Sequence, residues 1–448
     1  MYINANELNG VLSQVATIAN MDKSQPGILM DIKDNTVDVY YNTSNKAIIR
    51  TIDAVIEDDD IKGKVVFDYK KMIETIGVCK SSGKIKVDNV RIKLEKNPDN
   101  SGTATVYVVK TIDEDHNGET VSTVVANNEY KLGWWGVENL SIKQKVLNMP
   151  VCEDMFSEAN AEQWSIDEFC RVMSEACSGD SKIVYMSPKY NGAFAVNTNS
   201  TVRVTANCTV NKVIQLQTNA AKAITSVLNS LDAEDVMINT INSEDGKLFA
   251  CIFFTPDHKT SIYMGAAAMA QSHLVTMSRY AGFKYGTYQA NLMTELVKDT
   301  LKSVVQLNAA SNGSIKFVND EEGKVVAMIK AENTGSSTAN TYKMKCHTFN
   351  TLVEKPADSD EWVELNIDFK LLYDIINLNK CGYTGFDIDV SEAGMCLRIS
   401  FLDLDYARIK RDEYKKEHEI SGPLTMENKI DLRDMYLNTS YYVTVKNN

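Results

Sequence analysis

The sequence predicts an α+β protein made of one module repeated three times, and two observations carry that reading. Three segments share the order short strand, polar capping residue, amphipathic helix, and they begin at residues 66, 214 and 363, spacings of 148 and 149 residues. Each is then followed by a pair of alternating apolar–polar runs, the pattern of a half-buried antiparallel hairpin. A period held over that length marks tandem modules.

The first module opens with a helix over Leu8–Ala19, then strands Ile28–Ile32 and Val37–Tyr41. Val66-Phe67 leads through the capping residue Asp68 into a helix whose Met72, Ile73 and Ile76 share a face. Lys84–Val87, a turn at Asp88-Asn89, and Val90–Leu94 read as its hairpin. The second module repeats this with a helix over Ile166–Cys177, strands Ile183–Met186 and Ala193–Asn197, Thr218 as the cap of the next helix, and a hairpin of Val236–Thr240 with Lys247–Phe253. In the third, a helix over Leu292–Val305 precedes strands Ser314–Val318 and Val325–Lys330; Asn366 caps a helix with Leu371, Leu372 and Ile375 on one face, and Gly385–Val390 pairs with Met395–Phe401. Short helices polar on one face pack on one side of antiparallel sheets. The expected domains are 1–130, 164–265 and 289–448, with connectors at 131–163 and 266–288 and an insertion at 404–439 that holds a helix over Met426–Leu437. The pair Trp134-Trp135 in the first connector is expected to pack against the first module.

Composition narrows the function. The chain has 448 residues, 44% hydrophobic and 24% charged, which is globular and excludes disordered and collagen-like classes. No apolar run reaches the roughly 18–20 residues that cross a bilayer, so no membrane role is expected, and no secretory signal is visible. Net charge is −13, against a static grip on many phosphates. Nine cysteines form no Cys-x-x-Cys pair and mostly lie in apolar segments, as free thiols of a reducing, cytoplasmic compartment do.

Chemistry is scarce. The five histidines are scattered, Cys346-His347 lacks a second ligand pair, and no metal site or cofactor is expected. No Gly-x-Ser-x-Gly elbow supports a catalytic serine. Gly77–Lys84 resembles a phosphate loop only loosely: five residues separate the glycines where four are needed, and Ile85 stands where a hydroxyl would hold magnesium. The acidic run Glu57–Asp60 reads as a solvated loop. A non-catalytic protein is expected.

Pro26-Gly27-Ile28-Leu29 leading to Val37–Ser44, Phe369–Ile376 with its hairpin, and the ending Ser440–Val445 resemble the bacterial-type sliding clamp, the β subunit of DNA polymerase III. The likeness runs through all three modules. It departs at Thr43-Ser44 and Thr198-Asn199, where the family has Thr-Asp, at Ser200–Arg203, where the family continues Gly-x-Arg-Leu, and in the 404–439 insertion, which together suggest a divergent, phage-encoded version. The resemblance implies three processivity-clamp domains with helices lining the inside and antiparallel sheets outside, closed into a homodimer ring on double-stranded DNA. A clamp loader would place the ring, and it would tether a DNA polymerase. The six helical segments together are nearly neutral while the remainder carries almost all the negative charge. Lys70, Lys71, Arg171, Lys222, Lys298, Lys302 and Lys370 are the candidates for facing DNA, and each also fits a solvated helix face. Thr198, Val202, Val443 and Val445 map to the family's pocket for partner peptides, and they also fit ordinary strand core. Lys84, Lys86, Arg91 and Lys93 would lie outside the ring. Two other readings stay open: a clamp-fold recruitment protein that does not encircle DNA, and an enzyme with an unrecognised site.

Overall fold

The computed structural model describes residues 1–21, 27–43, 45–57, 61–116, 119–137, 157–177, 182–188, 192–196, 202–205, 211–268, 288–307, 312–332, 339–351, 361–377, 382–391, 394–402, 404–422 and 439–444. They form two compact units, Met1–Ser174 with Asn211–Ala267, and Glu175–Val210 with Ala268–Asn448.

One half-module recurs six times among the described residues: a strand, a helix that begins at the strand's end, then three or four strands. The helices are α1 (Ala5–Ala19), α2 (Tyr69–Gly77), α3 (Ile166–Ala176), α4 (Thr218–Leu228), α5 (Thr294–Leu307) and α6 (Phe369–Asn377), and a seventh, α7 (Leu404–Glu417), stands outside the pattern. The strands before them are Tyr2–Asn4, Gly63–Phe67, Glu162–Ser165, Ile214–Gln217, Tyr288–Met293 and Glu361–Asp368. Strand-to-helix entry is fixed by side chains that take up orphan amide groups of the first turn. Asn4 Oδ1 accepts from the amides of Asn6 and Glu7 (both 3.0 Å), Asp68 Oδ1 from Lys71 (2.9 Å), and Asp368 Oδ1 from Lys370 and Leu371 (2.9 and 3.1 Å). Asp68 caps as expected. Asn366 does not, because the strand continues to Asp368, and Thr218 is the first helical residue, so its hydroxyl is one position late to cap. Leu292 likewise belongs to the strand before α5.

In the first unit eight strands pair in an antiparallel circuit: Tyr2–Asn4, Asn89–Lys96, Ser101–His116, Glu119–Gly136, Gly63–Phe67, Ile28–Ile32, Thr36–Asn42 and Lys46–Val55, the last returning to the first at Tyr2↔Val55. From Lys46–Val55 the sheet continues through Thr260–Gly265, Leu248–Phe254, Asp235–Asn242 and Glu162–Ser165. Helices α1 and α2 bury Leu8, Val11, Leu12, Val15, Ile18, Met72 and Ile76 in a core shared with Met30, Val39, Ile48, Phe67 and Ile92 of the strands. Trp164, Phe169 and Phe253 form an aromatic file with ring centroids 5.9 and 5.6 Å apart.

The hairpins at 28–41 and 236–253 form as the alternation predicts. The one at 84–94 does not. Ile85–Lys86 pairs with the strand Ser101–His116, and Asn89–Lys96 pairs with the same strand instead of folding back on Ile85. The dominant feature there is a ribbon of two long strands, Ser101–His116 and Glu119–Gly136, paired from Ser101↔Trp135 to His116↔Glu119 with a register shift between Lys110 and Thr111. This strand runs through residue 131, so Trp134 and Trp135 are strand residues opposite Phe67 and Val66, with Trp134 buried.

The second unit holds two sheets. Ile183–Ser187, Gly192–Val196, Val202–Thr205, Thr439–Thr444, Gly394–Leu402, Tyr383–Ser391, Tyr288–Met293 and Thr348–Thr351 are neighbours in one. Ala339–Lys345, Val325–Glu332, Asn312–Asn319 and Glu361–Asp368 form the other. Leu301 and Val304 of α5, Leu372 and Ile376 of α6, and Ile315, Ile329, Leu365, Ile388, Leu397 and Ile399 of the strands make its core. Inside this core Arg398 donates to Asp387 Oδ2 through Nη2 (2.7 Å) and Nε (3.0 Å), with the two side chains 6% and 0% exposed. The helix expected at Met426–Leu437 lies outside the described residues; the 404–439 segment contributes α7.

Two substitutions test this packing. A methyl on Gly102 would meet the Glu95 carbonyl at 1.9 Å and the Trp134 ring at 2.5 Å, so Gly102→Ala should destabilise by about 2–3 kcal/mol through forced movement of backbone. Asp68→Ala should cost about 1 kcal/mol through the lost cap. Urea denaturation of the three proteins measures both.

Candidate nucleic-acid interface

The helices turn one face to the core and the other outward, and the outward faces differ. On α1 the exposed positions are Asn6, Gly10 and Ser13, a row of small or uncharged residues at three- and four-residue spacing. On α4 they are Asn219, Lys222 and Ser226. These two helices pack together in the first unit, where the Gln14 amide donates to Ser230 Oγ (3.0 Å) just beyond α4. Their exposed rows hold a cation and no carboxylate. Helix α2 exposes Lys70, Lys71 and Glu74; α3 exposes Asp167, Glu168 and Arg171. In the second unit α5 exposes Glu295, Asp299 and Lys302, and α6 exposes Lys370 and Asp374.

Six of the seven sequence candidates, Lys70, Lys71, Arg171, Lys222, Lys302 and Lys370, thus occupy exposed helix positions, and Lys298 is half-buried. Lys70 lies 3.9 Å from Glu74, with both side chains mostly in water (79 and 63% exposed), where such a pair is worth little. Lys71, Lys222, Lys302 and Lys370 have no ion pair among the described residues. The Asn6–Gly10–Ser13 row carries no cation to mark it in the sequence; its signal is the spacing of short uncharged residues opposite the apolar face of Leu8, Val11, Leu12 and Val15.

The basic residues at 84–93 are differently placed. Lys86 is paired with Asp113, and Arg91 with Glu57 (2.8 Å) while its guanidinium stands 5.2 Å from the Tyr2 ring centroid. Of the peptide-pocket candidates, Thr198 and Val445 lie outside the described residues. Val202 is aligned with Tyr442 and Val443 with Leu397, which puts Val202 and Val443 on adjoining strands of the second unit.

Among the described residues no group of three or more His, Cys, Asp or Glu could hold a metal, and no helix is long and apolar enough to cross a membrane. Burial pushes the thiols of Cys79 and Cys170 up to about 11 and those of Cys251 and Cys346 up to about 12.

No family model matches the sequence, and no curated relative does. Solved structures do match over the full chain. The β chain of DNA polymerase III from Streptococcus pneumoniae is 9% identical with a TM-score of 0.60, covering 100% of this chain and 99% of that one. The β subunit from Thermotoga maritima is 9% identical at 0.59, with the same coverage. The β clamp of H. pylori is 13% identical at 0.57, covering 100% of both. The fold is therefore that of the bacterial β sliding clamp, as the sequence resemblance implied.

The raised thiol values have a direct consequence. At pH 8 the thiolate fraction of Cys79, Cys170, Cys251 and Cys346 is about a thousandth or less of the total, so a maleimide should leave these four unlabelled in the native protein and label them in urea. Peptide mass mapping checks this; rapid native labelling at any of them would reveal an activated thiol.

Proposed function

From the clamp fold as premise, we propose that this protein is a DNA sliding clamp: two copies close a ring around duplex DNA and tether a DNA polymerase, with a clamp loader placing the ring. The single observation that carries the reading is a rule of strand pairing. Where one module meets the next, the strand that ends the first half of one pairs with the strand that ends the second half of the other. Lys46–Val55 pairs with Thr260–Gly265, from Thr260↔Arg50 to Met264↔Lys46. Val202–Thr205 pairs with Thr439–Thr444, from Val202↔Tyr442 to Thr205↔Thr439. Two further strands late in the remaining half-modules keep an open side among the described residues. Glu119–Gly136 has no ladder on its outer side from 119 to 133 among the described residues, and Ala339–Lys345 is a terminal strand of its sheet. A second copy supplies the partner for each, head to tail, and an interface of that kind closes into a ring.

The outward helix faces support the rest. A ring that slides needs attraction without adhesion, because every tight phosphate contact must break at each step. The uncharged row of α1 and the sparse cations of α2, α4, α5 and α6 meet that requirement. Thr198, Val202, Val443 and Val445 are proposed as the neighbourhood in which a polymerase peptide docks, and the protein makes and breaks no bond. A clamp-fold recruitment protein that does not encircle DNA is favoured only by the carboxylates Glu74, Asp167, Glu168, Glu295, Asp299 and Asp374 among the exposed helix residues.

Light scattering should give twice the 50.0 kDa of one chain. Once loaded, the protein should stay on closed circular DNA and leave within seconds when the circle is cut. Reversing charge at Lys70, Lys71 and Lys222 together should weaken loading by roughly tenfold and reduce the salt dependence by about 0.9 per lost phosphate contact. Retention unchanged by cutting would favour the recruitment reading.

A further inference from the structure

The first unit contains a pocket of about 450 Å³ between the N-terminal half of α1, the turn after α4, and the hairpin turn that joins Leu248–Phe254 to Thr260–Gly265. Arg50, Gln14, Glu7, Asp232, Asp257 and Lys259 are among its walls. Their donors and acceptors do not balance. Arg50 spends Nη1 on the Lys259 carbonyl (3.3 Å) and the Thr260 hydroxyl; among the described residues its buried Nε has no partner and its Nη2 makes no hydrogen bond. Nε and Nη2, the two N–H groups of one side of the guanidinium, are thus left unused by the described residues. No carboxylate forms an ion pair with it among the described residues, although Asp257 and Glu7 lie close enough to act on its charge. Burial pushes its pKa down, and those two carboxylates oppose that shift.

The other residues are occupied or complementary. Lys259 Nζ reaches Asp53 (3.1 Å), and Asp257 accepts from the Thr255 hydroxyl (2.6 Å) and the Lys259 amide (3.0 Å). On the α1 side Gln14 is buried and its Oε1 has no partner, while the carboxylates of Glu7 and Asp232 carry no hydrogen bond or ion pair among the described residues. One wall thus lacks an anion and the facing walls lack a cation or N–H donor. A half-buried cation with no direct ion pair and a buried acceptor without a donor are both costly.

We propose that this pocket binds a mixed-charge ligand, a carboxylate taken side-on by the Nε–Nη2 edge of Arg50 with a neighbouring ammonium received by Glu7, Asp232 and Gln14 Oε1. A polyanion such as DNA is disfavoured by the three acidic walls. The shared chemistry belongs to a free amino acid and to a partner's segment in which glutamate adjoins lysine.

Titration calorimetry of the full chain without DNA tests it, with two probes: free alanine, and a short peptide blocked at both ends that carries adjacent glutamate and lysine. Binding on the order of 1 mM is expected for at least one probe. Binding by alanine identifies a small zwitterion as the ligand; binding by the blocked peptide alone identifies a partner segment. Replacing the peptide's glutamate by glutamine, or Arg50 by lysine (Arg50→Lys), should weaken binding by roughly tenfold, because a two-pronged, charge-assisted contact is lost. Silence from both probes, or a glutamine peptide as good as the glutamate one, overturns the proposal without any variant having to fold. Since no DNA is present, the result is independent of whether the protein encircles a duplex.

Discussion

Unpaired strand edges govern this molecule. A β-strand with an open side presents a row of amide and carbonyl groups that must be paired or hydrated. Each module here ends its two halves in such strands, and each junction between modules is made by joining one to another, as Lys46–Val55 does with Thr260–Gly265. The apolar contacts within a module, Leu8 to Ile18 on α1 or Leu372 to Ile376 on α6, stabilise the module; the ladders between modules fix the order in which modules stand side by side. Among the described residues two such ladders form, and Glu119–Gly136 and Ala339–Lys345 each keep an edge without one. The proposed assembly follows from that remainder.

The same economy bears on how a strongly acidic protein could hold a polyanion. The exposed row of α1, Asn6, Gly10 and Ser13, is uncharged, with the half-buried Glu7 beside it, and Lys222 on its neighbour α4 adds a single exposed charge. Contacts of that strength are each worth little against water and salt, which suits movement along a duplex better than residence at one place.

Much of this was legible in the sequence because it is periodic. The alternation at 28–41, 236–253 and 385–401 formed hairpins where it was read, and the 148- and 149-residue spacings located the strand-to-helix entries at Asp68 and near Thr218 and Asn366. The errors are local. Asp368 rather than Asn366 caps α6 because a helix begins where the strand's ladder ends, at Asn312↔Asp368, and that ladder is made with residues far off in the chain. The ribbon 101–136 is not among the strands the sequence predicts: 84–87 and 90–94 alternate and predict a hairpin with each other, and which run pairs with which is decided by register in three dimensions. Charge was the least legible property. A lysine's place on a helix follows from spacing, but the pairing of Lys86 with Asp113 and the unused edge of Arg50 depend on strands brought together from elsewhere.

The slot filled by Thr439–Thr444 also sets a timetable. Its neighbours, Val202–Thr205 and Gly394–Leu402, leave the ribosome earlier, and the first of them waits for the whole third module to be translated. At roughly 5–20 residues per second that delay is about ten to fifty seconds, during which Val202–Thr205 has no native neighbour on one side. A nascent chain of this protein therefore passes through a long adhesive stage, and its yield in the cell will depend on how well chaperones shield that strand until translation reaches the closing one.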